Sequence, residues 1–209
     1  PFCVCRSDVM LHQPQVATAP AYFRDFIGRW PTVTALAEAD ADAVMAAWAG
    51  LGYYSRARNL KKCAEAVAFR NGGRFPETAD GLRELPGIGA YTSAAIAAIA
   101  FDEKVAVVDG NVERVMARVL ALDLPAARAK KIIGEAVAVM VPLDRPGDFA
   151  QAMMDLGATI CTARRPSCML CPLRPDCAAY RLGTPEAFPV REAKPARPAK
   201  TGREHAVVS

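Results

Sequence analysis

Four cysteines, Cys161, Cys168, Cys171 and Cys177, lie within seventeen residues of the chain. Four thiolates that converge on one centre can close a tetrahedral zinc site or hold an iron-sulfur cluster. A disulfide framework is the competing interpretation. The other three cysteines are scattered, however, and no signal-peptide pattern directs the chain to an oxidising compartment. The spacing therefore predicts a metal site and leaves zinc and iron-sulfur open.

A glycine-rich turn, Leu85-Pro86-Gly87-Ile88-Gly89, separates two segments of helical periodicity. Its glycines allow a tight turn and expose successive N-H groups at the start of the next helix, which is a site for an anion such as phosphate. The alternative is a plain helix-helix turn that needs glycine for steric reasons. The turn alone does not decide between them.

An acid and an amide, Asp109 and Asn111, follow in Val108-Asp109-Gly110-Asn111, where another helix is predicted to start. Asp109 could act in catalysis, or it could be only the N-cap of that helix. Taken alone, the N-cap interpretation is favoured.

The elements that must position these residues are helical. About ten segments, the first of them from Asp8 to Ala17, place apolar side chains three or four residues apart, with Gly and Pro between them, and no β-alternation or repeat is found. This predicts an all-α fold. The longest uncharged stretch, residues 85–101, is interrupted by Pro and Gly and is too short to cross a membrane. The net charge of +4 favours polyanionic partners without establishing any.

Three motifs occur together in the order of a known family. The turn followed by Ala90-Tyr91-Thr92 resembles a helix-hairpin-helix, the segment around Asp109 resembles a catalytic aspartate motif, and the cysteines resemble a [4Fe-4S] loop. The chain thus resembles the helix-hairpin-helix DNA glycosylases. The stretches at 50–60 and 151–158 are similar to those of the MutY-type adenine DNA glycosylases.

The resemblance implies a six-helix barrel domain at 1–103, with the hairpin at about 83–95. A helical [4Fe-4S] cluster domain follows at 104–182. Residues 183–209 are expected to be a basic, Pro-rich linker and the truncated start of a C-terminal domain. The four cysteines named above would be the cluster ligands.

The implied activity is removal of adenine mispaired with 8-oxoguanine or guanine in double-stranded DNA. Asp8 would protonate the base, and Asp109 would stabilise the positive charge on the sugar, in surroundings shaped by Tyr91 and Asn111. The expected DNA contacts are Gln13, Tyr53, Gly87, Gly89, Arg164 and Arg165. Tyr53 could instead be a core residue.

Two positions qualify this activity. Endonuclease III-like members carry a lysine where this chain has Tyr91, and a phenol cannot form the imine needed for strand cleavage, so a monofunctional enzyme is implied. The family has Glu where this chain has Asp8, which is one methylene shorter. We therefore expect weakened excision.

Two other functions remain open: a DNA-binding module with impaired catalysis, and an endonuclease III-like pyrimidine glycosylase. A four-cysteine zinc protein is a more remote alternative. We expect a monomer without membrane association, located in the bacterial cytoplasm or nucleoid.

Overall fold

The computed structural model describes residues 1–11 and 19–190, and α-helices dominate this part of the chain. Its helices are α1 (Phe2–Leu11), α2 (Ala19–Arg29), α3 (Val33–Glu38), α4 (Ala41–Ala47), α5 (Tyr54–Glu65), α6 (Ala79–Arg83), α7 (Ala90–Phe101), α8 (Gly110–Val119), α9 (Ala126–Met140), α10 (Pro146–Asp155) and α11 (Ala178–Arg181). π-Helical segments follow α5 and α10 at Ala66–Arg70 and Leu156–Ile160. Short 3₁₀ turns lie at Cys168–Leu170, Arg174–Asp176 and Pro185–Ala187.

The all-α prediction is confirmed. Within the described ranges no β-strand forms. Pro125 and Val190 pair there in an isolated β-bridge. No helix in these ranges is both long and apolar enough to span a membrane.

The first predicted helix differs from the observed one. Periodicity predicted a helix from Asp8 to Ala17, whereas α1 begins at Phe2. Residues 2–5 at the start of α1 are all apolar and so show no helical alternation, and Cys5 and Arg6 are buried there. The predicted part beyond Leu11 lies outside the described residues.

The helices enclose two apolar cores, and α7 lies between them. The first core joins α1 to α7 around Trp48, whose ring packs edge-on against Phe26 with centroids 5.9 Å apart. The second core joins α8, α9 and α10. Residues 93–98 of α7 are all buried, so this helix has little amphipathic pattern. It contributes to the first core and, through a smaller third cluster with Val107 and Ala150, packs against α10. At Gly147 of α10, a Cβ would lie 2.7 Å from a backbone oxygen of α7, so glycine permits their close approach.

The α6-turn-α7 hairpin lies against α5. Gly87 has a φ of +77°, and a Cβ there would come within 2.4 Å of the Asn59 Cβ. Gly89 has ordinary extended backbone and open space around it. Only the first of the two glycines is therefore required by the fold of the turn.

Residues 183–190, the expected start of the basic, Pro-rich linker, contact α8 and the cysteine loop through hydrogen bonds. The Phe188 carbonyl accepts a hydrogen bond of 3.1 Å from Arg118 Nε, and the Arg165 backbone N-H donates to Glu186 Oε1 at 2.9 Å. These residues belong to the folded part of the chain because they complete the hydrogen bonding of the loop.

Candidate active site and cysteine loop

Tyr91, in the first turn of α7, lies between two carboxylates. Its hydroxyl is hydrogen-bonded to Asp8 of α1 and lies 3.3 Å from Met154 Sδ. Burial raises the pKa of Tyr91 well above its usual value, and the negative charges of Asp8 and Asp109 raise it further. The phenol therefore stays a neutral hydrogen-bond donor through the neutral pH range.

Asp109 is the N-cap of α8, as the simpler interpretation of the sequence holds. Its Oδ1 accepts from the Val112 N-H at 2.7 Å, and its Oδ2 accepts from Asn111 Nδ2 at 2.9 Å. Both hydrogen bonds fix the carboxylate at the positive end of the helix dipole. Besides capping α8, the Asp109 carboxylate acts on Tyr91, because its negative charge raises the pKa of the phenol.

Arg114, which sequence reasoning missed, connects Asp109 to the cysteine loop. Its Nη2 donates to Asn111 Oδ1 at 2.8 Å and to the Gly157 carbonyl at 2.6 Å, and its Nε donates to the Cys161 carbonyl at 2.8 Å. Asn111 and Arg114 are three residues apart on α8 and so share a helix face. That spacing is the signal in the sequence that could have identified Arg114.

Arg118, one turn further along α8, is also missing from the sequence prediction. Its side chain is buried, with 2% of the residue exposed, and its partners are backbone carbonyls and a thiol instead of a carboxylate. Nη1 lies 2.7 Å from the Thr162 carbonyl and 3.2 Å from Cys161 Sγ, while Nη2 lies 3.2 Å from the Ala163 carbonyl. A buried guanidinium is costly unless negative charge lies close by. Thiolates of the loop can supply that charge.

The four predicted metal-ligating cysteines are brought together by the fold. They are free thiols and line one narrow cavity of about 20 Å³, with the Arg118 side chain and Tyr180 also in its wall. Burial raises the pKa of Cys168 and Cys171, and the neighbouring thiols add to the increase. Four thiolates this close together would repel one another unless a positively charged centre lay between them. Within residues 1–11 and 19–190, no three His, Cys, Asp or Glu side chains are grouped closely enough to hold one metal ion.

Asp8 lines a second cavity, of about 140 Å³, between α1, α5 and the hairpin turn. Arg56 and Asn59 of α5 form one wall, and Gly87 and Thr92 form another. The carboxylate of Asp8 is thus reached from two sides, by the Tyr91 phenol and by this cavity.

Most of the predicted DNA contacts lie on the surface. Tyr53 has 63% of its surface exposed, so its interpretation as a core residue is wrong, and its ring centroid lies 5.5 Å from the Arg56 guanidinium carbon. Gly89 caps α7 with an exposed backbone, and Arg164 and Arg165 are exposed in the cysteine loop. Gln13 lies outside the described residues.

Comparison with known proteins agrees with this architecture. Residues 7–138 match the family model described as HhH-GPD superfamily base excision DNA repair protein. The adenine DNA glycosylase of Rattus norvegicus is 45% identical over 183 residues, covering 86% of this chain and 36% of the rat protein. That of Homo sapiens is 46% identical over 182 residues, covering 85% of this chain and 33% of the human protein.

The fold has a solved counterpart as well. A thermostable thymine-DNA glycosylase superposes with a TM-score of 0.79 at 27% identity, covering 87% of this chain and 85% of the other. The chain spans about a third of the length of the curated mammalian relatives it matches. The helical fold with its hairpin and the match over residues 7–138 show that this chain belongs to the HhH-GPD superfamily of base excision DNA repair proteins.

Proposed function

We propose that this chain carries the base-excision site of an adenine DNA glycosylase, which removes adenine mispaired with 8-oxoguanine or guanine. The observation that carries the proposal is the pair of carboxylates, Asp8 and Asp109, that act on one half-buried phenol, Tyr91. Hydrolysis of an N-glycosidic bond needs an acid for the leaving base and a negative charge for the sugar. The adenine DNA glycosylases among its relatives support adenine as the base.

In this mechanism the two carboxylates have different tasks. Asp109, held by two hydrogen bonds and without large freedom to move, stabilises positive charge on the deoxyribose. Asp8 delivers a proton to the flipped base, and Tyr91 orients the Asp8 carboxyl group through the hydrogen bond between them. Asn111 keeps Asp109 in place through its own bond to Arg114.

We propose that the enzyme removes the base without cleaving the strand. Lyase chemistry of the endonuclease III type requires an amine that attacks the sugar, and Tyr91 stands at that position. Its raised pKa keeps the phenol protonated, so it is a poor nucleophile at neutral pH.

A [4Fe-4S] cluster fits the cysteine loop, with Cys161, Cys168, Cys171 and Cys177 as its ligands. The observation that supports a bound cluster is the shared cavity that the four thiols line, because four cysteine thiolates are the usual ligands of a [4Fe-4S] cluster. When bound, the cluster would supply a fixed cross-link of the loop and negative charge beside Arg118. Arg164 and Arg165 lie on the exposed side of this loop.

The same proposal gives the remaining surface residues their tasks. Tyr53 and Gln13 would enter the base stack, the N-H groups after Gly87 and Gly89 would bind phosphate, and Arg164 with Arg165 would neutralise phosphates. The protein would act as a monomer on double-stranded DNA, in the bacterial cytoplasm or nucleoid.

The experiment that tests the proposal measures single-turnover release of adenine opposite 8-oxoguanine by the wild type and by Asp8→Glu. The added methylene moves the carboxyl by about 1.5 Å. Since a misplacement of about 1 Å can cost about a hundredfold in rate, we expect Asp8→Glu to be about ten to a hundred times faster. Asp8→Asn should be slower than the wild type, and the exposed Asp80→Glu serves as the matched control.

Absence of a gain in Asp8→Glu would refute the role of Asp8. Tight binding to an abasic-site analogue without adenine release would favour the DNA-binding module instead. Borohydride trapping of a covalent DNA adduct would favour a strand-cleaving enzyme.

A further inference from the structure

A pair of thiols that base excision does not use lies in the wall of the Asp8 cavity. Cys5 of α1 and Cys63 of α5 are both in the first apolar core, with 0% and 1% of each residue exposed, and both line this cavity. Their side chains are hydrogen-bonded to each other. The two thiols belong to neighbouring helices, so they are distant in sequence but adjacent in space.

The environment divides the two thiols into a donor and an acceptor. The hydrogen bond from Cys5 lowers the pKa of Cys63, while the contact with Cys63, with burial and the Asp8 charge, raises the pKa of Cys5. Arg6, which is buried beside Cys5, adds a positive charge, and its Nε has no hydrogen-bond partner within the part of the chain that the structure describes. Two adjacent thiols, of which one has its pKa lowered by a hydrogen bond from the other, are the arrangement of a redox-active dithiol.

The cavity beside the pair has room for a small oxidant. Its volume of about 140 Å³ exceeds the roughly 30 Å³ that one water occupies in the liquid, so a peroxide molecule fits. In a reducing compartment, protein disulfides are as a rule transient and redox-sensing.

We propose that Cys5 and Cys63 form a reversible disulfide, made by a hydroperoxide and undone by a dithiol reductant. The Cys63 thiolate attacks a peroxide oxygen, the O-O bond breaks, and the leaving hydroxide takes up a proton to become water. Cys5 then attacks the sulfur of the resulting sulfenic acid, an S-S bond forms, and the second water leaves. Two thiols and one hydrogen peroxide thus give one disulfide and two waters, and a dithiol reductant returns both electrons.

The modification would link α1, which carries Asp8, to α5. Cys5 and Asp8 are three residues apart and share a helix face. The proposal does not depend on adenine as the substrate, because the linkage can be measured without DNA.

Peptide mapping tests the proposal on the reduced protein before and after hydrogen peroxide treatment. Trypsin cuts after Arg6, Lys62 and Arg70, so the disulfide would join the peptide that ends at Arg6 to the peptide 63–70. We expect this linked pair after peroxide, its loss on dithiothreitol, and the loss of two alkylatable thiols per chain. The cluster ligands lie on other peptides and cannot imitate the signal.

Two variants identify the partner, because Cys3 shares a peptide with Cys5. Cys3→Ala should keep the linkage, and Cys5→Ser should abolish it and leave a sulfenic acid at Cys63 that dimedone traps. The proposal would be overturned if Cys5 and Cys63 stayed alkylatable after a peroxide treatment that oxidises the exposed Cys3. A linkage that survives in Cys5→Ser would overturn it equally. If Cys5→Ser fails to fold, Cys3→Ala decides the proposal by itself, because a linked pair from that variant can contain only Cys5 and Cys63.

Discussion

Replacing Arg118 by Met should loosen the cysteine loop more than any exposed substitution. The methionine keeps a similar unbranched stem but has no donor for the carbonyls of Thr162, Ala163 and Phe188. The Cys161 carbonyl would keep a partner, because Arg114 Nε also donates to it. At about 1 kcal/mol for each carbonyl that is left without its donor, the expected loss of stability is about 3 kcal/mol. For a domain of this size that corresponds to a fall in Tm of about 6 to 12 °C.

The assay compares Tm and bound iron per chain in the wild type, Arg118→Met and a matched variant of the same helix, Arg114→Met. Arg114 also bonds the Cys161 carbonyl, but it is less buried and its other partners are Asn111 and the Gly157 carbonyl. Arg114→Met should therefore retain iron but excise adenine more slowly. Arg118→Met should bind less iron and have a lower Tm. Wild-type Tm and iron content in Arg118→Met would refute the assigned role of the buried guanidinium.

Three further changes separate structural from functional tasks. Asp109→Asn keeps an N-cap of similar quality but removes the charge. The free energy of unfolding should therefore change by less than about 1 kcal/mol, while the single-turnover rate of adenine excision falls by at least about a hundredfold. Gly87→Ala should lower Tm because its Cβ would meet Asn59, whereas Gly89→Ala should fold normally and weaken DNA binding measured by fluorescence anisotropy. Arg164→Ala should reduce the slope of log affinity against log salt by about 0.9, and an unchanged slope would contradict a phosphate contact.

The sequence predicted the parts of the site that consist of spaced residue types. The cysteine spacing, the glycine turn and the acid at a helix start are local patterns, and the structure places all three as elements of one helical fold. Helix periodicity located most helices, because amphipathic faces must be buried. It failed at the start of α1, where Arg6 is buried by packing that no local pattern reveals.

The residues that were missed act through contacts between distant segments. Arg114 and Arg118 resemble ordinary basic residues of an exposed helix face, and only the fold brings the cysteine loop against them. The Cys5 and Cys63 pair was overlooked for the same reason, since each is a single cysteine in its own helix. Long-range partners of this kind are decided by tertiary packing, which a one-dimensional pattern does not contain.

Helix α8 is the element that makes the loop and the excision site depend on each other. Its first turn holds Asp109 and Asn111, its middle holds Arg114, and its last turn holds Arg118, so one helix carries bonds to both sites. Disorder in the cysteine loop would therefore reach the carboxylate through Arg114. Asp8 is on α1 and meets this network only at Tyr91. An intact cysteine loop would thus support the position of Asp109, whereas the position of Asp8, the proposed proton donor, depends on α1 and on the hydrogen bond to Tyr91.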